Sequence, residues 1–214
     1  MFKHFILCRY NLGLYTTNPY KILDQDKWME ERLPMFERLL GSLKAQTNQN
    51  FTLILGLDKN TNSDQRTGIV NLLFKYGIDF QMVFADPRTA IPTQHAGIDW
   101  LITTRMDNDD EYRPEFVEAI QSNFKEKTEL LDVFGVQFDG KQFYTSGRPT
   151  PNSPFITLIE SWHNPKTVLD RPHSLMNGES PARWASKDAL YIQHIHDSNA
   201  ANKIIGKQID NPWK

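Results

Sequence analysis

Four short apolar runs, "HFILC", "FTLILGLD", "IDFQMVF" and "WLITTR", divide the first half of this chain, and the first three are followed by segments of different character. Strands separated by helices cannot pair as tight hairpins. They need crossovers, and crossovers build a mainly parallel sheet with helices packed against it. After the first run, Asp26 begins a helical segment in which Phe36, Leu39, Leu40 and Leu43 form an apolar stripe, with Pro34 expected to kink or restart it. Ser63 and Gly77 bracket a second helix as cap and stop. A third should carry Pro114 in its first turn and Phe116, Ile120 and Phe124 on one face.

The second half changes character. "LDVFGVQFDGKQFYTS" reads as a hairpin turning at Asp139-Gly140, "FITLIES" as another strand, and "ALYIQHIH" as strand or helix. The proline-rich stretches 149–154 and 165–172 read as surface loops. One α/β domain with a small antiparallel elaboration follows.

Charge and cysteine content narrow the function. A net charge of -2, with lysines and arginines scattered, argues against a nucleic-acid polymer as main partner. Cys8 is alone, which excludes a disulfide framework or a cysteine zinc site within the sequence. The apolar stretch "FILC" is too short for a signal core or a spanning helix, so a soluble, cytoplasmic protein is expected.

Directly after the fourth run comes "TTRMDNDDEY", with Asp107, Asp109 and Asp110 inside four positions. So much negative charge costs free energy unless something positive sits among it. Ligands of α/β sheets lie beyond the carboxyl ends of the strands, where this cluster falls. Carboxylates there suit a divalent cation, magnesium or manganese, with a nucleotide diphosphate as its other ligand. Other readings compete. Acidic residues favour a helix N-terminus, which accounts for one or two of the three. A calcium loop would place Glu118 at its twelfth position, but Tyr112 stands where glycine is needed and Pro114 interrupts it. A solvated acidic turn is the last.

These residues resemble a family. "TTRMDNDD" is similar to the "TRLDNDD" hallmark of the rhamnosyltransferase family, GT-A-type glycosyltransferases. "CRYNLG", "WMEERLPMFERLLGSLKAQTNQNFTLILGLD", "NSPFITLIES" and "IHDSN" resemble further elements in the same order, over about residues 5–200. Met106 departs from the usual leucine, and the C-terminal part is short. The resemblance implies a single Rossmann-like GT-A domain over 1–214, its central sheet mainly parallel with helices on both faces. Residues 1–110 would bind the nucleotide sugar and 111–214 would form the acceptor side.

It implies metal-dependent transfer of a sugar, rhamnose being one option, from a nucleoside-diphosphate donor to a glycan acceptor. Asp107, Asp109 and Asp110 would be the DXD-type metal and diphosphate site. Arg9 and Asp58, at the ends of the first two strands, become candidate nucleotide contacts. Arg105 either offsets phosphate charge or pairs with its own aspartates. His196 is favoured as a histidine completing the metal shell, against an ordinary hydrogen-bonded histidine; His173 is a weaker candidate. An inverting enzyme also needs a carboxylate base. Glu160, ending the "PFITLIE" strand, is preferred over Asp188, with Asp170 also in the acceptor-side part. Trp162 and Trp184 are candidates for stacking on the acceptor. A noncatalytic sugar- or calcium-binding domain of the same fold is the alternative. A sugar nucleotidyltransferase ranks lower, because "RYNLGLYTTNPYK" is no glycine-rich triphosphate loop.

Overall fold

The computed structural model describes residues 1–19, 21–93, 95–146, 151–173, 182–196 and 203–213. Its strands are β1 (Phe2–Arg9), β2 (Thr52–Gly56), β3 (Phe80–Val83), β4 (Trp100–Met106), β5 (Glu111–Tyr112), β6 (Glu129–Phe138), β7 (Phe143–Thr145), β8 (Thr157–Ser161), β9 (Arg183–His194) and β10 (Lys207–Ile209). The helices are α1 (Gln25–Lys44), α2 (Ser63–Tyr76) and α3 (Phe116–Ser122), with a 3-10 turn at Pro87–Ala90. One open ten-stranded sheet runs in the order β10-β7-β6-β8-β4-β1-β2-β3, with β9 beside β6 and β5 beside β9.

The parallel part is β4-β1-β2-β3. β1 lies between two parallel neighbours, which explains why Ile6, Leu7 and Cys8 are all fully buried and why "HFILC" shows no alternation. The chain winds from β1 out to β2 and β3, then returns to place β4 on the other side of β1. The order of strands therefore reverses between β1 and β4. That is where an open sheet leaves a crevice at its carboxyl edge.

All three α-helices contribute to the larger core, around Phe36, Leu53, Leu73 and Ile120. The opposite face is covered differently: Phe5, Leu7, Ile54 and Leu158 pack with Trp162, Val168 and Leu169, and with residues of and after the 3-10 turn. The three α-helices thus lie on one face, where helices on both were expected, and the other face is covered by loops and the 3-10 turn. α1 runs unbroken through Pro34 because its apolar stripe continues on either side. α2 is capped by Asn62 rather than Ser63, through a capping box with Gln65, and Gly77 closes it in the left-handed conformation at φ 60. The hairpin turns at Gly140, φ 91, as its Asp-Gly pair requires. "ALYIQHIH" is strand.

Gly56 ends β2 under the loop that follows β3. A Cβ there would stand 2.6 Å from Pro87 Cδ and 2.8 Å from the Ala85 carbonyl oxygen. Glycine is what allows residues 85–87 to come this close to the sheet, and Asp86 with them.

Candidate active site

At the carboxyl edge of the crevice the register pairs Cys8 with Met106, which sets Arg9 beside Asp107. Asp107 keeps 36% of its side chain exposed and accepts a hydrogen bond from Arg105 at 2.9 Å. Its carboxyl is pushed up by desolvation and the Asp109 charge, and pulled down chiefly by Arg105. Asp109 is 6% exposed and shares Oδ2 between Arg32 of α1 and His196 Nε2, the latter at 3.0 Å. Desolvation opposes its charge, but those two partners hold its carboxyl below the usual value. Asp110 is deeper still, 2% exposed, and accepts the His194 backbone N–H at 2.8 Å. Burial, together with the charges of Asp109 and Asp107, drives its pKa well up.

The three aspartates thus turn to different partners. Asp110, also expected as a metal ligand, engages the β9 backbone through one carboxylate oxygen and so fastens β9 to the segment after β4. No three His, Cys, Asp or Glu side chains among the described residues form a ready cation cage. Asp109 and His196 do converge, with Asp107 the exposed carboxylate of the cluster, and this oxygen–nitrogen set fits a hard or borderline divalent ion.

Arg32 was missed by motif reading although its signal was present. It lies four residues after Trp28 and four before Phe36, on the buried stripe of α1, where a charge needs a partner. The guanidinium sits 4.9 Å from the Trp28 ring and donates to Asn108 at 3.2 Å as well as to Asp109. Asn108 in turn donates to the Tyr10 carbonyl at 2.6 Å, tying the cluster to the end of β1. Arg38, one turn and a half further along α1, donates to the Asp109 carbonyl and pairs with Glu111 at 3.2 Å.

Beside Asp107 opens a cleft of about 390 Å³ lined by Arg9, Arg88, Arg105, Arg171 and His173, with Asp170 as its carboxylate. Asp86 braces two of the arginines, accepting from Arg9 at 2.7 Å and Arg88 at 2.9 Å. Four guanidiniums around one opening, two of them pre-oriented, make a site for a polyanion of small size, with the planar forks that phosphate oxygens accept.

Asp58 is positioned otherwise. It is 1% exposed, and its carboxylate accepts from the N–H groups of Tyr15, Thr16 and Asn60 and from the Thr16 hydroxyl. It organises the loop after β1, and a direct nucleoside contact would require that loop to release it. Desolvation opposes ionisation, but these bonds outweigh it and lower the pKa. A depressed native pKa stabilises the fold above the unfolded carboxylate value of about 3.9 and loses that contribution as pH falls through the native value. Asp58→Asn is therefore expected to be less stable than the parent at pH 7 and to show a shallower acid limb. Urea midpoints between pH 7 and pH 3 measure this; parallel curves would contradict it.

Glu160, the preferred base, lies away from the acidic cluster. β8 runs antiparallel to β4 and pairs Glu160 with Leu101, at the end opposite the acidic cluster. Six residues at ~3.3 Å each put it about 20 Å along the strand from Asp107. Its carboxylate accepts from the amides of Lys166 and Thr167, shaping the loop over the second core. Asp188 is also away from the site: it is exposed on β9, six residues before His194. Of the three acceptor-side carboxylates only Asp170 lines the arginine cleft. Trp162 is 3% exposed, edge-on to Phe5, and donates to the Pro92 carbonyl, so it is core. Trp184 lies within β9 opposite Asp132 and lines neither this cleft nor the one described below. The "IHDSN" element lies outside the described residues beyond His196.

Comparisons with known proteins bear on the family and the fold. A family model described as "Putative rhamnosyl transferase" matches residues 14–208. Among solved structures, Staphylococcus aureus TarS 1-349 aligns with a TM-score of 0.50 at 16% identity, over 91% of this chain and 60% of that one. The chain thus spans three-fifths of the TarS structure, and the likeness is one of fold: a mixed α/β domain with an open, mainly parallel central sheet. A "Putative Glucose-1-Phosphate Thymidylyltransferase" from Bacillus anthracis, in complex with sucrose, aligns at a TM-score of 0.38 and 17% identity, over 85% of this chain and 76% of that one. No curated protein matches. No helix among the described residues is long and apolar enough to cross a membrane.

Proposed function

Because the chain belongs to the rhamnosyl transferase family and is thus a glycosyltransferase, we propose that it transfers rhamnose from a dTDP-linked donor to a hydroxyl of a glycan acceptor, in the cytoplasm. The observation that carries the donor class is the arginine cleft beside Asp107. Its four guanidiniums share three carboxylates, Asp86, Asp107 and Asp170, and a nucleoside diphosphate would bring the further negative charge they can accept. The sugar follows the family's description.

Asp107, Asp109 and His196 would hold a divalent cation, manganese or magnesium. When bound, it would bear part of the charge that develops on the leaving diphosphate. The chain's own residues do the rest. Arg9 and Arg88, braced by Asp86, and Arg105, braced by Asp107, hold the diphosphate and stabilise it as it departs, at no cost of reorganisation. Arg171 closes the other side of the cleft. Asp170, which lines the cleft, would take the acceptor hydroxyl's proton. Arg32 keeps Asp109 ionised and fixed, and Asp58 shapes the loop under the nucleoside.

The test is donor consumption. Incubated with dTDP-rhamnose, UDP-sugars and GDP-sugars in turn, the protein is expected to release dTDP with manganese or magnesium, to stop on chelation, and to resume on readdition. Absence of nucleotide release from every donor with metal present would overturn the reading.

A further inference from the structure

A second cleft, of about 210 Å³, opens where β6, β7 and β9 meet the segment 151–154. It differs from the first in chemistry. None of its described lining residues carries a charge; they are amides, hydroxyls, prolines and small apolar groups. We infer that this cleft is the acceptor subsite and that it takes a single uncharged sugar ring. The inference rests on the glycosyltransferase reading above and adds the place and class of the acceptor.

The polar groups around the cleft are those a sugar would use. Asn152 Oδ1 is buried and has no hydrogen-bond partner among the described residues. A buried acceptor left unpaired costs free energy, and a ligand hydroxyl would recover it. Asn152 is held at φ 66, a conformation that L side chains rarely adopt, and its amide and carbonyl are both engaged. The backbone thus fixes it in place while the side-chain oxygen stays unpaired. Gln193 accepts from Gln137 at 3.0 Å through Oε1, which leaves its own amide protons without a described partner. The Tyr191 hydroxyl likewise has none, and its ring is held in place: it lies against Gly135, where a Cβ would meet the ring at 2.3 Å, and packs tilted against Phe155 with ring centroids 4.3 Å apart. One acceptor and two donor groups on rigid elements are a pattern for vicinal hydroxyls. The volume is below the roughly 300–1,000 Å³ of sites for larger ligands, which suits one ring rather than a chain.

Position supports the same assignment. His173 lines the arginine cleft and bonds the Asn152 carbonyl at 2.7 Å, so the two clefts share a wall. A ring seated by Asn152 would present a hydroxyl toward His173 and the donor side.

The experiment uses methyl glycosides of glucose, galactose, N-acetylglucosamine and rhamnose as acceptors, with donor consumption and transfer product followed together. In the parent protein at least one glycoside should accelerate donor consumption and appear in product. Tyr191→Phe, which keeps the ring, and Asn152→Gly, which keeps the backbone conformation, should each raise that glycoside's KM tenfold or more, with donor KM changed less than twofold. Gln193→Ala should act in the same direction. Unchanged acceptor KM in all three variants would overturn the assignment. So would failure of every glycoside to be glycosylated by a protein that still hydrolyses its donor, and that result would leave the transferase reading standing. Absence of any donor consumption would overturn both.

Discussion

Replacing Arg32 with methionine is expected to lower the thermal midpoint by about 6–12 °C. Arg32 is 5% exposed and Asp109 6%, and they form a buried ion pair, so each compensates part of the other's lost hydration. Removing one partner of a buried pair costs on the order of 3–5 kcal/mol, because the remaining charge stays buried. His196 also contacts Asp109, which places the cost near the lower end. At about 2–4 °C per kcal/mol for a chain of this size, 3 kcal/mol gives the stated drop. The double variant Arg32→Met/Asp109→Asn should recover part of it, since no lone charge remains. A fall equivalent to less than about 1 kcal/mol, the range of exposed pairs, would show that Asp109 does not depend on Arg32. Lysine at position 32 should not rescue fully, because an ammonium cannot reproduce the planar guanidinium's packing over the Trp28 ring.

Asp107→Asn should behave in the opposite way, losing activity and keeping stability. Asp107 is the partly exposed aspartate, and it orients Arg105, which lines the cleft. Donor turnover is expected to drop by about 10²–10³, the usual cost of deleting one preorganised group that stabilises developing charge. The unfolding midpoint should move little, as for other partly exposed positions. Glu160→Gln makes the contrast: its carboxylate holds a loop about 20 Å away along the sheet, so turnover per folded molecule should stay within threefold. Turnover of Asp107→Asn within threefold of the parent would remove Asp107 from the chemistry.

The parallel half of the sheet was readable because strands buried on both faces leave unbroken apolar runs, and β1, β2 and β4 fall where those runs lie. The two short strands β5 and β10 were not readable, since two or three residues carry no period. The acidic cluster was recognised as a charge excess needing a positive partner. Its partners in the fold, Arg32 and His196, come from positions 77 and 87 residues away, and local pattern carries no such information. Arg32 could still have been suspected, because an arginine inside an apolar stripe needs a partner. Glu160 shows a different limit. Strand ends point to a site only in the parallel part of such a sheet; β8 returns antiparallel, so its last residues arrive at the opposite edge. The arginine cleft draws on segments near positions 9, 88, 105 and 171, which only the fold brings together.

The central claim is that the arginine cleft beside Asp107 receives a nucleoside diphosphate, and thermal unfolding with added nucleotide tests it most directly. With dTDP, UDP and GDP compared in the presence and absence of manganese, dTDP with metal should stabilise most. At a hundred times its dissociation constant the gain should be about 2.7 kcal/mol, and it should shrink in Arg171→Gln. A midpoint that stays unmoved by all three nucleotides with manganese present would contradict the account.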